Sequence, residues 1–223
     1  MRLKRILAVV FIFLLFFLLP LKSIAAEEKE NIENNHIILI DPGHGGIDGG
    51  AKSKQGTIEK DINLSIALKL KDALEEENYT VFMTRESDTQ LDKKKVSDLN
   101  ARCKMKKDTN CDIFISIHQN MFQQAKCFGA QVWYASNEVS KVLAEEVQNS
   151  LKEKSEDNNK RVAKAAKEQY KRLRDGYEGA SILVECGFLS NHEEEQKLKT
   201  DEYQSKIVDG IKCGVNRYFD KDK

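Results

Sequence analysis

The chain has 223 residues, with 36 lysines and arginines balancing 36 aspartates and glutamates, four histidines and five cysteines. That even balance argues against a nucleic-acid binder, which should be basic. The length suits one domain with a full core and leaves no room for a second large one.

Arg2, Lys4 and Arg5 form a positive start, Ile6 to Leu21 is apolar apart from its proline, and Ser23-Ile24-Ala25 offers small residues for cleavage. This predicts a secretory signal peptide over residues 1–25 and a flexible lead-in over 26–35, ahead of a single domain over 36–220. The apolar run of 16 residues is shorter than the roughly 20 of a spanning helix, so no stable membrane span is expected after signal cleavage. Cleavage removes four basic residues and no acids, leaving 32 against 36, a net charge near −4. The mature chain is therefore expected to act outside the cytoplasm.

Ile37-Ile38-Leu39-Ile40 predicts a short buried strand. Asp41-Pro42-Gly43-His44-Gly45-Gly46 comes next as a tight turn, with glycines leaving room beside the imidazole. Taken alone, His44 is most simply a hydrogen-bonding loop residue, and the glycines fit neither dinucleotide nor Walker spacing. Thr57 is placed to cap a helix running to about Glu77, with Glu59 and Asp61 where the helix dipole favours negative charge. Ile62, Ile66, Leu70, Ala73 and Leu74 form its apolar stripe. Tyr79 to Met83 reads as a second strand. Asp92 to about Lys106 reads as a mostly polar helix with Val96 and Leu99 inward. Ile113 to Ile117 is another apolar strand, and it ends in His118-Gln119-Asn120.

Gly129 to Tyr134 predicts a further strand, with Trp133 and Tyr134 in the core or a cleft wall. Ser136 to about Lys154 predicts an amphipathic helix with Val139, Leu143, Val147 and Leu151 inward. After a polar break, the basic segment Arg161 to Arg174 reads as helical. Ile182-Leu183-Val184 is a strand that runs straight into Glu185. A carboxylate there must be paired or have a raised pKa, which is what an acid–base group needs. Ser190 or Asn191 caps the next segment, and Asp201 to Phe219 closes the chain as a helix with Tyr203, Ile207, Ile211 and Val215 inward. Cys103, Cys111, Cys127, Cys186 and Cys213 make no C-x-x-C pair, so buried or idle thiols are expected.

Strands alternating with helices predict an α/β single domain with a largely parallel mixed sheet flanked by helices. In such sheets ligands bind at the edge formed by the strand carboxyl ends. His44, His118 and Glu185 each come after such an end, and Glu59 begins the helix after the first loop. Two histidines and a glutamate are a ligand set for catalytic zinc, with a fourth position left for water. A further carboxylate must then carry a proton from water to the leaving nitrogen, and Glu185 suits that task.

The chain resembles the zinc-dependent N-acetylmuramoyl-L-alanine amidases of the third amidase class. The matching blocks begin with Ile40-Asp41-Pro42-Gly43-His44-Gly45-Gly46, with Asp48 and Gly50-Ala51, then Glu59-Lys60-Asp61 with Asn63-Leu64. They continue through Thr84-Arg85 with Asp88, Leu99 with Arg102, and Asp112 through Ser116-Ile117-His118 with Asn120. The last is Leu183-Val184-Glu185 with Gly187-Phe188-Leu189-Ser190-Asn191. The resemblance implies a phosphorylase/hydrolase-like fold, one zinc ion on His44, Glu59 and His118, and Glu185 as the catalytic glutamate. It also implies cleavage of the amide between muramic acid and L-alanine of the peptidoglycan stem peptide.

Many family members add a wall-binding domain or an inserted autoinhibitory helix. Here a single catalytic domain is expected, most like the germination-specific members. Those strip stem peptides in spore cortex so that a separate deacetylase can complete muramic δ-lactam. An exported accessory protein is an expected partner, with Arg161 to Arg174 as its candidate surface. The alternatives are a vegetative wall amidase, a zinc peptidase acting on another amide, and a non-catalytic wall-binding module of the same fold. Gln119 stands where most relatives have a small residue, and the Asp175 to Ala180 loop lacks the proline many carry. Arg85, Asp88 and Arg102 are expected to hold loops, and Ser116 and Asn120 to orient His118. His36 and His192 are not expected to bind metal.

Overall fold

Residues 36–155 and 158–221 are described by the computed structural model, so the expected signal peptide and lead-in lie outside the described residues. The apolar runs form β1 (Ile37–Pro42), β2 (Thr80–Met83), β3 (Ile113–Asn120), β4 (Gln131–Tyr134) and β6 (Ala180–Phe188), with a two-residue β5 (Lys164–Ala165). They pair in the order β2-β1-β3-β6-β4-β5. The pairs β1–β2, β1–β3, β3–β6 and β4–β5 are parallel, while β4 runs antiparallel to β6. This is the largely parallel mixed sheet that the alternating pattern predicts.

Among the described residues five helices flank it: α1 (Glu59–Glu75), α2 (Lys95–Thr109), α3 (Glu138–Ser155), α4 (His192–Leu198) and α5 (Asp201–Asp220). Side chains alternate across a strand, so the two faces of the sheet fill differently. Ile38, Ile40, Ile113, Ile115, Ile117, Ile182 and Val184 pack with Ile66 and Leu70 of α1, Val147 of α3 and Ile207 of α5. Leu39 and Phe114 face the other way, with Cys111. Leu183 packs there too, with Ala166 and Leu173. Tyr203, Ile207, Ile211 and Val215 are buried as their spacing predicts. All five cysteines are free, with Cys111 and Cys186 buried. Among the described residues no helix is long and apolar enough to cross a membrane.

Several expectations are corrected. The α1 N-cap is Ile58, without a side-chain cap, because the Thr57 hydroxyl instead donates to Glu195 Oε1 at 2.5 Å. Helix α2 starts at Lys95 rather than Asp92, and Val96 is 65% exposed. Its inward positions are taken by Arg102 and Lys106, which are fully buried by polar partners rather than by an apolar stripe. Val139 is also exposed, leaving Leu143, Val147 and Leu151 as the buried face of α3. The segment from Arg161 to Arg174 is not a helix. It holds β5, a turn, and a single 3₁₀ turn at Lys171–Leu173. Ala166 N donates to Tyr134 O at 2.9 Å, so pairing with the sheet edge outcompetes helix formation here.

Candidate metal centre

The parallel strands β1, β3 and β6 end side by side, and the site is built on that edge. Just past β1, His44 adopts a left-handed backbone with φ of 63°, a sparsely populated region for a residue with a side chain. Two glycines make space for the rings. A Cβ on Gly43 would lie 2.3 Å from His118 Nε2, and one on Gly50 would lie 2.6 Å from His44 Cδ2 and 2.5 Å from Glu59 Oε2. The turn is tied down through its carbonyls. Arg85 donates to Pro42 O and Gly43 O, and Arg102 donates to Pro42 O and His44 O. The expected loop-holding role of both arginines is met, although Asp88 pairs with Lys60 and Gly46 N rather than with Arg85.

His44, Glu59 and His118 come together, each offering a ligand atom, with all three atoms within 4.8 Å of one another. Glu59 lies at the centre. Its Oε1 is 2.8 Å from His118 Nδ1 and its Oε2 is 3.3 Å from His44 Nε2. The carboxylate is further fixed by main-chain N–H groups of Ala51, at 2.8 Å, and Gln119, at 3.1 Å. Burial pushes the Glu59 carboxyl up, but hydrogen bonds and charge from His118 and His44 outweigh it and hold the group well below the usual carboxylate range. Burial pulls the His44 imidazole down, but Glu59 and Asp48 more than offset this and raise it. Burial and the neighbouring Arg172 charge lower His118 to about 4, against the opposing pull of Glu59.

Glu185 is the register partner of His118 on the adjacent strand, so the two side chains leave the sheet on the same side. It is 7% exposed, and burial together with the Glu59 charge raises its carboxyl to about 8. Its Oε1 accepts a long hydrogen bond from the Tyr170 hydroxyl at 3.4 Å, while its buried Oε2 has no hydrogen-bond partner. Native interiors rarely leave such an atom unsatisfied, so this one is suited to a water or a substrate group. A cleft of about 240 Å³ opens beside His44, lined by Ile47, Asp48, Gln90, Lys93 and Lys95.

Three contacts were not legible in the sequence. Asp48 Oδ2 lies 3.0 Å from His44 Nδ1 and orients the ring, which leaves Nε2 for a ligand. The i,i+4 spacing of His44 and Asp48 within the glycine loop was the available signal. Tyr170 and Arg172 reach Glu185 and His118 from the irregular segment. Ser116 does not orient His118, since its hydroxyl donates to Asp41 Oδ2 at 2.7 Å. His36 stacks on Phe219 beside the amino end of β1, whereas the site lies at the carboxyl end, and His192 Nδ1 contacts Gln55. Trp133 tilts against Tyr170 and lines a separate groove with residues 163–169.

Fold and site together make this an α/β protein whose sheet carries a candidate metal-binding group at its carboxyl edge. Residues 38–217 match the family model described as N-acetylmuramoyl-L-alanine amidase. The germination-specific N-acetylmuramoyl-L-alanine amidase of Bacillus subtilis is 38% identical over 196 residues, covering 82% of this chain and 79% of that protein. The CwlD amidase of Clostridioides difficile, solved in complex with the GerS lipoprotein, is similar with a TM-score of 0.79 and 38% identity, covering 84% of this chain and all of that one. The amidase AmiC2 of Nostoc punctiforme gives a TM-score of 0.74 at 30% identity, over 83% of this chain and 97% of that one. The chain belongs to the N-acetylmuramoyl-L-alanine amidase family, hydrolases of peptidoglycan.

Proposed function

We propose that this chain is a zinc amidase that releases stem peptides from muramic acid in spore cortex, with His44, Glu59 and His118 holding the metal and Glu185 moving the proton. The observation that carries the reading is the three-residue ligand group beside a buried glutamate with an unpartnered oxygen. Two imidazoles and one carboxylate suit zinc and leave a position open. When bound, zinc supplies Lewis-acid polarisation of the scissile carbonyl and makes water more acidic. Glu185 takes a proton from the attacking water and delivers it to the amide nitrogen of L-alanine. The products are a lactyl carboxylate on the sugar and a peptide with a free amino terminus. A dication held by His44, Glu59 and His118 would lower the Glu185 carboxyl from about 8 towards the ionised form a general base needs. Asp48 keeps the His44 ring turned towards the site.

The cortex assignment is supported by the relative named for germination and by the expected likeness of a single catalytic domain to the germination-specific members. In this reading residues 1–25 direct export, 26–35 form a lead-in, and 36–220 carry the chemistry, in the cell wall or forespore intermembrane space. The solved neighbour in complex with a lipoprotein supports an exported accessory partner. Lys164, Lys167 and Arg174 are exposed and can face such a partner, whereas Arg172 of the same basic segment is turned inward. A separate deacetylase would complete δ-lactam formation.

The test is digestion of purified cortex and vegetative peptidoglycan by the mature chain, with and without a zinc chelator. The expected result is zinc-dependent release of stem peptides beginning at L-alanine, and formation of muramic δ-lactam once a deacetylase is added to cortex material. Cleavage confined to vegetative wall would replace the cortex role with the vegetative one. Unchanged release under chelation, with no zinc retained on the protein, would remove zinc from the account.

A further inference from the structure

The 3₁₀ turn at Lys171–Leu173 places a cation against a residue of the ligand group. Arg172 is only 9% exposed, and its Nη2 is in hydrogen-bond contact with His118 Nε2. Its Nε lies 3.1 Å from Asp41 Oδ2, as an ion pair without hydrogen-bond geometry. Asp41 keeps other partners besides Arg172. That carboxylate already receives Arg102 Nη1 at 2.6 Å, Ser116 Oγ at 2.7 Å and Thr84 Oγ1 at 2.8 Å. The far end of the guanidinium therefore stands in the pocket of Glu59 and Glu185 with no carboxylate bonded to it. It supplies there the kind of positive charge a metal ion would supply.

We infer that Arg172 competes with the metal: its guanidinium occupies His118 and must withdraw before His44, Glu59 and His118 can close on a divalent cation. The inference rests on the metal-centre reading above. It holds whichever nitrogen of His118 is the ligand. If Nε2 binds the metal, Arg172 donates to the lone pair the metal needs. If Nδ1 binds it, Nε2 must carry the ring proton, and two N–H donors then face each other. In both cases a cation sits beside an incoming cation.

The main chain of the turn is anchored independently of the Arg172 side chain. Lys106 Nζ donates to Arg172 O and pairs with Asp175 Oδ2 at 3.1 Å, while Lys171 Nζ reaches Asn100. Leu173 is buried beside Ala166 and Leu183. Withdrawal therefore needs only rotation of the Arg172 side chain, with the turn left in place. Arg172 sets how tightly the site holds its metal, and it keeps two buried carboxylates company while no metal is bound.

The experiment is zinc titration against a competing chelator, using the chain from residue 26 to 223, unmodified and as Arg172→Gln and Arg172→Ala. Both variants are expected to bind zinc about tenfold more tightly or better. Equal or weaker binding in variants that unfold within a few degrees of the unmodified chain would overturn the inference and leave the metal centre standing. Zinc binding by none of the three would overturn the metal centre and the inference with it. A crystal structure of the zinc-loaded unmodified chain gives a second readout that does not depend on the variants. Arg172 Nη2 is expected beyond hydrogen-bond distance of His118, and a retained contact with zinc bound would refute the competition.

Discussion

The two flanks of the site are built differently. On one side, the turn from Gly43 to Glu59 is held by main-chain contacts, by two arginines on its carbonyls and by two carboxylates at its one imidazole, His44. On the other, Tyr170 and Arg172 project from an irregular stretch whose main anchors are Lys106, Leu173 and one pairing with β4. The first flank is fixed before any ligand arrives, as a site requiring sub-ångström placement demands. The second places a hydroxyl and a guanidinium on side chains carried by that irregular stretch. Rigidly held candidate ligands face more adjustable neighbours. The contrast is sharpest in the two buried glutamates, with Glu59 held ionised by its histidines and Glu185 pushed up by burial and by Glu59 itself.

Breaking the rigid flank should cost most. Glu59→Ala removes the group that both histidines share, so zinc retention and peptide release should both fall below detection, while circular dichroism reports an unchanged fold. Asp41→Asn comes next. Asp41 is fully buried against Arg102, and uncoupling such a pair costs about 3–5 kcal/mol, readable by urea unfolding. Burial pushes the Asp41 carboxyl up, but Arg102 and Arg172 outweigh it and hold the group far below its ordinary 3.8. Its stabilising contribution is therefore complete above about pH 4 and drains away as pH falls further. Asp41→Asn should accordingly lose less stability than the unmodified chain between pH 4 and pH 2.

The adjustable flank should respond more mildly. Lys106→Met leaves the Arg172 carbonyl and Asp175 without their buried donor, and should cost about 1–3 kcal/mol. It should alter peptide release more than zinc content, as separate measurements of the two will tell. Tyr170→Phe removes only a 3.4 Å contact to Glu185, too long for a strong bond. Release should fall no more than about fivefold, with KM nearly unchanged. A loss comparable to that of Glu59→Ala would mean that both flanks are equally committed.

The same division governs what the sequence revealed. The edge carrying His44, His118 and Glu185 was legible because each comes after an apolar strand, and parallel strands bring their carboxyl ends together. Glu59 was legible as the first-turn residue of the next helix. The Arg161 to Arg174 stretch reads as helical only weakly, since its charges and scattered apolar residues have no clear period, and pairing with β4 decides its course. Buried Arg102 and Lys106 were hidden for a related reason: α2 is buried through ion pairs, which leave no apolar stripe. Thr57 read as a cap because its residue type suits one, yet Glu195, 138 positions on, takes its hydroxyl. No local pattern encodes such a partner.

The most direct measurement is zinc per chain together with release of L-alanyl stem peptides, for the unmodified mature protein and for Glu185→Gln. One zinc is expected in each, with release reduced about 10²- to 10⁴-fold in Glu185→Gln alone. Undiminished release by the zinc-loaded variant would contradict a proton-carrying role for Glu185, and the proton would then have to travel by another group.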